Sequence, residues 1–328
     1  MEINQFLSIS IPTYNRADFL DYSLKMHIPL ARAHNIQIYI SDNASTDKTR
    51  IVVEKWMKEY PLLQYYKNDH NVGAVKNVQL ALKKANSKYV WLISDNCLID
   101  ENALKKVLEY STQCFDLIIL NHSNRVTDVE YDIYKDCNML LHDLGWHLTL
   151  ISVIVFSQNL IKKADFERYN NTSFPHIGAI FESLIHQNDI NVGWLGNYST
   201  KGIKLEGIEK KSWHPRTFEV WIQNWSNCIL SLPPNYSLEN KLYTIAMHNE
   251  KTELFNFTNL INLRSKNFYN LKILLKHKKY FPIALQKYSI LKFYIVLLLP
   301  ISLLKKTIQI WRLIKSKIFF RCFVFSFF

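Results

Sequence analysis

The sequence is short of the features that would classify it quickly. Its five cysteines (Cys97, Cys114, Cys137, Cys228 and Cys322) are odd in number and scattered, with no Cys-x-x-Cys. Neither a disulfide framework nor a zinc knuckle is expected from that spacing, and a reducing, cytosolic setting fits it best. No basic segment followed by a long apolar core opens the chain, so no leader is expected. Internal repeats and low-complexity stretches are missing too. The apolar run from Phe293 to Leu304 is twelve residues long and is interrupted by Pro300, short of the roughly 20 residues that a spanning helix takes. Acidic residues are wholly lacking from 264 to 328, a stretch that holds 14 of the 40 Lys and Arg.

That last absence relocates the net charge. The formal +12 belongs to the tail, because the remaining residues carry 26 basic against 28 acidic side chains. In the tail, Lys305, Lys306, Arg312, Lys315, Lys317 and Arg321 alternate with Ile308, Trp311, Ile314 and Phe319. Cations interleaved with apolar residues suit a helix lying in a lipid headgroup layer. A nucleic-acid partner is not expected, since the excess lies in an apolar tail and not on a polar face.

What is present is a packed α/β pattern. Apolar residues make up 48% and aromatics 14% of 328 residues, enough for one large domain or a domain with an appendage. Strands are predicted at Phe6 to Ile11, Ile36 to Ser41, Leu63 to Tyr66, Tyr89 to Ser94 and Asp116 to Leu120. Helices are predicted over 46–60 and 75–85, with a third starting at Asp100 as its N-cap. Such alternation implies a mainly parallel sheet with helices on both faces, in which ligands bind at the carboxyl ends of the strands. The polar clusters obey that rule: PTYNR follows the first strand, SDNAST the second, NDHNVG the third and SDNC the fourth. Later, ISVIVFSQNLIKKADF reads as a strand entering a helix and FPHIGAIFESLIHQ as a helix. Trp213, Phe218, Trp221 and Trp225 recur at helical spacing and read as core.

Taken in order, SISIPTYNRADFL, IYISDNASTDKT, NVGAVKN and YVWLISDNCLI resemble the motifs of family-two GT-A glycosyltransferases. The resemblance spans residues 6–105. Further along, LISVIVFSQNLIKK and FPHIGAIFESLI are similar to the abequosyltransferase-like branch of bacterial surface-polysaccharide enzymes. The resemblance implies a Rossmann-like GT-A domain over about residues 1–215. Residue pattern, and not the resemblance, adds a helical region over 216–328 with the basic membrane-surface tail at about 290–328. The resemblance also implies inverting transfer of a sugar from a nucleotide diphosphate donor to a glycan, lipid-linked, acceptor. The enzyme would be cytoplasmic and peripheral on the inner face of the cell membrane.

Donor contacts are then expected from Pro12, Thr13, Asn15 and Arg16, from Asp42 and Asn43, from Asn71, Gly73, Lys76 and Asn77, and from Ser94, Asp95 and Asn96. The family's Asp-x-Asp motif uses its last acid to ligate Mn2+ or Mg2+. Here Cys97 stands at that position, and a thiol is a poor ligand for a hard cation. Three readings stay open: a metal held through Asp95, the diphosphate and a residue such as His176; cations such as Arg16 or Lys76 in place of a metal; or a binding protein without catalysis. For the general base that inversion needs, His176, Glu182 and Asp143 are the candidates, with Trp146 as a sugar-stacking platform.

Overall fold

The computed structural model describes residues 2–205 and 214–306. Two compact units result: Met1–Ile208 with Cys228–Thr244, and Glu209–Asn227 with Ile245–Phe328. Residues 228–244 return to the first unit. There Tyr236 donates its hydroxyl to the Phe181 carbonyl at 2.6 Å.

The first unit is built on a nine-stranded sheet. Its strands are β1 (Leu7–Thr13), β2 (Gln37–Asp42), β3 (Leu63–Lys67), β4 (Tyr89–Leu92), β5 (Cys97–Leu98), β6 (Leu117–His122), β7 (Ile133–Tyr134), β8 (Ile154–Ser157) and β9 (Val192–Gly202). The order is β3-β2-β1-β4-β8-β6-β9-β5, with β7 paired to β9. β1 to β4 are mutually parallel. β8 is antiparallel to both β4 and β6, and β6 is parallel to β9. Two reversals across β8 restore direction, so β6 and β9 end on the same rim as β1 to β4. The sheet is mainly parallel as expected, with β8 its internal exception.

Helices α1 (Ala17–Ala33), α2 (Thr49–Glu59), α3 (Ala74–Lys84) and α4 (Glu101–Ser111) alternate with the first strands. α5 (Cys137–Leu144), α6 (Gln158–Lys163) and α7 (Pro175–Ile185) follow. Asp100 caps α4 as predicted, accepting the Asn102 N–H at 3.0 Å. β4 is buried along its whole length, as an apolar run covered on both faces should be. Around it Leu7, Ile9, Ile11, Ile38, Ile40 and Trp91 are all fully buried, each contributing about 1.5–3 kcal/mol. α1 is the largest element that periodicity does not announce, because Pro29 sits inside it. An interior proline costs about 3 kcal/mol; burial of Phe19, Leu20, Leu24, Ile28 and Ala31 along one face outweighs it.

The second unit is helical. After α8 (Trp225–Leu230) and α9 (Leu238–Thr252), whose residues 228–230 and 238–244 belong to the first unit, come α10 (Phe257–Ser265), α11 (Leu271–His277), α12 (Phe281–Ala284) and α13 (Ile290–Leu298), and a π-helical stretch covers Glu219–Asn224. Phe218 stacks on Tyr269 at 4.9 Å between centroids, and Phe255, Phe281 and Phe293 close around the pair. Phe218, Trp221 and Trp225 are therefore core, as the helical spacing implies; Trp213 lies outside the described residues. So do residues 307–328, the outer part of the basic tail. Among the described residues no helix is long and apolar enough to cross a membrane.

Candidate functional site

The loop after β1 and the loop after β2 hold one another. Asn15 adopts φ +50°, a conformation asparagine tolerates better than most residues. Its N–H donates to Ser45 Oγ (2.9 Å) and its Oδ1 accepts the Thr46 N–H (2.8 Å). Arg16 stands at the N-cap of α1 without a capping side chain. Asp47 supplies the acceptor instead, taking the Ala17 N–H at 3.0 Å, where the helix dipole also favours a carboxylate. Asp42 is fully buried at the end of β2. Its Oδ1 accepts the Ser45 N–H (2.9 Å) and its Oδ2 the Tyr65 hydroxyl (2.6 Å). Burial, and then this carboxylate, push the Tyr65 phenol up. These two donors fix the Asp42 carboxylate against its own loop and β3.

Behind these loops runs a ladder of amides. Asn43 Nδ2 donates to Asn71 Oδ1 (2.8 Å), and Asn43 Oδ1 accepts the Val72 N–H (2.9 Å). Asn77, buried in α3, accepts from Ser41 Oγ (2.8 Å) and donates to the Ser41 carbonyl (2.9 Å). Asn68 joins the same ladder, donating to Asn77 Oδ1 at 3.0 Å; its place was not legible in sequence. Gly73 takes φ +85° and ψ 156°, a region open essentially to glycine alone. A Cβ there would meet nothing within 4 Å, so the requirement comes from the backbone and not from crowding. Lys76 pairs with Glu167 and is not a free cation.

Asp95 is the centre of the fourth cluster. Only 3% of its side chain is exposed. Its Oδ1 lies 2.9 Å from Arg16 Nη1, and its Oδ2 accepts the Thr13 hydroxyl at 2.9 Å. The Arg16 guanidinium also sits 4.6 Å over the Phe19 ring. Its Nε and Nη2 are buried without a hydrogen-bond partner among the described residues. Ser94 Oγ donates to Asn96 Oδ1 (2.6 Å), and the Ser94 N–H donates to Ser152 Oγ (3.0 Å). Pro12 lies in β1 just before these loops.

A hard divalent cation fits this arrangement poorly. It would need several oxygen ligands, yet Asp95 offers a single carboxylate whose Oδ2 already accepts from Thr13 and whose Oδ1 faces the Arg16 guanidinium. Cys97 is buried, and burial is the main cause pushing its thiol up, which keeps it protonated. Among the described residues no group of three or more His, Cys, Asp or Glu is placed to hold a metal ion. The cation that the structure does bring to Asp95 is Arg16.

One support of this loop escapes sequence reasoning. His27, buried in α1, accepts the Ile99 N–H on Nε2 at 3.0 Å. Its proton therefore sits on Nδ1, 3.1 Å from Ser23 Oγ. Burial brings its pKa down to about 4, against a smaller upward effect of Ser23. A neutral histidine thus anchors the segment that follows Asp95.

The three base candidates are each held by a different partner. His176 starts α7 as expected, but its ring is buried, with Nε2 3.1 Å from the Leu148 carbonyl. A helix start this apolar turns its first side chains inward. Glu182 pairs with Arg168. Asp143 accepts the Tyr134 hydroxyl (2.9 Å) and lies 2.8 Å from His142 Nδ1, with 22% of its side chain exposed. Trp146, expected as a sugar platform, is buried and carries the Arg125 guanidinium on its face.

Known proteins resemble this chain in the same region. The model of glycosyl transferase family 2 matches residues 8–167. The abequosyltransferase RfbV of Salmonella typhimurium is 27% identical over 197 residues, covering 52% of this chain and 59% of that protein. The GalNAc(5)-diNAcBac-PP-undecaprenol beta-1,3-glucosyltransferase of Campylobacter jejuni is 26% identical over 216 residues, 66% of this chain and 64% of its own length. The chain thus spans about three fifths of these relatives. Among solved structures, S. aureus TarS 1-349 in complex with UDP-GlcNAc superposes with a TM-score of 0.52 at 16% identity, covering 78% of this chain and 75% of that one. At such identity the likeness shows the fold: a GT-A-like α/β sheet with a helical C-terminal region.

Proposed function

We propose that this chain, which carries a glycosyl transferase family 2 domain over residues 8–167, moves one sugar from a nucleotide diphosphate to a glycan acceptor carried on a lipid, with inversion, in bacterial surface-polysaccharide synthesis. The supporting observation is the rim itself. Asp42, Asn43, Asn71, Gly73, Asn77 and Asp95 lie at or after the ends of parallel strands β2, β3 and β4, with Asn71 bonded to Asn43 and Gly73, Asn77 to Ser41 and Asp95 to Thr13, where α/β sheets bind ligands.

In this reading the base and ribose lie against Pro12, Thr13, Asn15, Asp42 and Asn43, and the diphosphate lies towards Asp95 and Arg16. The acceptor hydroxyl gives its proton to a base as its oxygen bonds to C1 of the sugar. The C1–O bond to the diphosphate breaks on the opposite face, and the nucleoside diphosphate leaves with the electron pair. Preorganised positive charge at that oxygen is the largest aid such a step can receive. We assign it to Arg16, because the residues at Asp95 and Cys97 do not suit a metal. For the base, Asp143 ranks ahead of Glu182, whose oxygen is tied to the Arg168 cation, and ahead of the buried His176.

Titrating UDP- and GDP-sugars into the protein, with binding and release of free sugar read separately, tests the reading. Binding of one nucleotide class with slow hydrolysis is expected. Binding of none contradicts it. Binding without turnover on any acceptor would instead favour the second reading, a GT-A-like scaffold, for which the closed Asp95 site and Cys97 speak.

We further place the protein on the inner face of the cell membrane. α13 buries Phe293 and Val296 but exposes Leu291, Ile295 and Leu298 on another side, with Lys292 between them and Lys305 and Lys306 beyond. Apolar residues flanked by cations suit an anionic lipid surface. Co-sedimentation with phosphatidylglycerol vesicles is expected, falling at least tenfold when Leu291, Ile295 and Leu298 are changed to Glu. Unchanged binding by that variant would exclude α13 as the anchor.

A further inference from the structure

We propose that the carboxyl end of β6 carries a phosphoryl-binding site built on Arg125, positioned by His147 and flanked by His122. Arg125 Nε–H donates to His147 Nδ1 at 2.8 Å, and Nη2–H donates to the His147 carbonyl at 2.5 Å. The guanidinium lies 4.6 Å over the ring of Trp146. His147 in turn donates Nε2–H to the Leu120 carbonyl at 2.8 Å. These bonds fix the tautomer: the proton is on Nε2, Nδ1 is an acceptor, and the imidazole is neutral.

Neutral acceptors therefore orient the arginine without cancelling its charge. Among the described residues its hydrogen bonds go only to this imidazole and this carbonyl. A guanidinium has five N–H donors, so about three remain for a ligand. Arg125 is half-buried, and desolvation brings its pKa down to about 9. The same cation helps lower His122 and His147, in each case after burial. Among the described residues no ion pair neutralises this partly desolvated charge, and an anionic ligand would do so.

The turn that presents Arg125 is built and not merely permitted. Ser123 and Asn124 both lie in the left-handed region, at φ 49° and 54°, where Asn is tolerated and Ser is uncommon. Asn121, buried at the end of β6, pins the turn by donating to the Val126 carbonyl (2.8 Å) and accepting the Val126 N–H (3.2 Å). Asn124 Oδ1 accepts from Ser199 Oγ at 2.6 Å. His122 has Nδ1 2.9 Å from Thr200 Oγ1, and its Nε2 has no partner among the described residues.

Position indicates which anion. β6 ends on the rim that carries Asp95, two strands from β4, roughly 10 Å across the sheet. The planar fork of an arginine suits phosphate oxygens. The identity of the ligand rests on the transferase reading, under which phosphoryl groups come from two sources: the donor's diphosphate and a phosphate on the lipid-linked acceptor.

Calorimetric titration of the full chain with inorganic pyrophosphate, UDP, GDP and farnesyl diphosphate separates the possibilities. Arg125→Met is expected to weaken pyrophosphate at least tenfold at 150 mM salt, the loss of charge-assisted bonds. If the donor supplies the group, UDP or GDP weakens with it and farnesyl diphosphate does not; if the acceptor does, the order reverses. A folded Arg125→Met, judged by its melting curve, that binds all four within twofold of the parent overturns the site. Should that variant not fold, Arg125→Lys decides: it keeps the charge but loses the fork onto His147, and pyrophosphate binding equal to the parent's overturns the site equally. A parent protein that binds pyrophosphate through Arg125 but no nucleoside diphosphate would defeat the transferase reading and leave the anion site standing.

Discussion

Replacing Asp95 by alanine is expected to destabilise the protein by about 2–3 kcal/mol and to abolish sugar transfer. Removing one member of a buried ion pair typically costs about 3–5 kcal/mol, because the remaining charge is stranded. Here the stranded group would be Arg16, whose Nε and Nη2 already lack partners among the described residues. Its side chain is 22% exposed, so water recovers part of the loss, which places the expectation below that range. Thr13 also loses its acceptor. Asp95→Asn should cost less, since the amide oxygen can still accept from Thr13 while the charge is gone. Urea unfolding of the three proteins measures the difference, and turnover is read alongside. An alanine variant within 0.5 kcal/mol, roughly the scatter of neutral surface changes, would mean that the pair with Arg16 is not formed in solution.

Acid should unfold this protein early. His27, His147 and His176 are buried and neutral, with pKa values of about 4 for His27 and His176 and well below the ordinary 6.5 for His147. Burial is the leading cause in each. In the unfolded chain these rings titrate near 6.5, so between that value and the folded one the unfolded state binds the extra protons. Their contribution is fully present above about pH 6.5 and is lost as pH falls towards 4. At pH 5 each ring with a folded value near 4 costs about 2 kcal/mol, and the three together a large share of the 5–15 kcal/mol that domains typically have. Urea midpoints should therefore fall steeply from pH 7 to pH 5. His27→Gln, whose amide oxygen can still accept the Ile99 N–H, should flatten that slope by the share of one proton. A midpoint constant over the interval would show that these rings are not buried neutral.

The rim was legible because two sequence signals coincide there. An apolar run long enough for a buried strand ends, four times, in turn-forming polar residues, and both halves of that pattern survive into the fold. β4 and the α4 cap at Asp100 follow directly. β9 was missed because Gly193, Gly196, Tyr198 and Thr200 break any alternation, although its pairing with β6 needs only backbone. The partners of the site residues were hidden for another reason. Tyr65 on Asp42, Arg16 on Asp95 and His147 on Arg125 join residues 23, 79 and 22 apart, and nothing in local pattern signals such meetings. Trp146 and His176 show the converse error: residue type suggested chemistry, while the surrounding apolar sequence had already committed both to the interior.

Arg16 and Cys97 together make the metal the decisive question. The direct measurement is the rate of sugar release from the bound nucleotide donor in excess EDTA, compared with the rate after adding Mn2+ or Mg2+. With Arg16 supplying the charge at Asp95, the two rates should agree within about twofold, and Arg16→Met should lose at least tenfold of either, as expected for a charge-assisted contact to the leaving group. A rate that vanishes in EDTA and returns with the metal would contradict that role for Arg16.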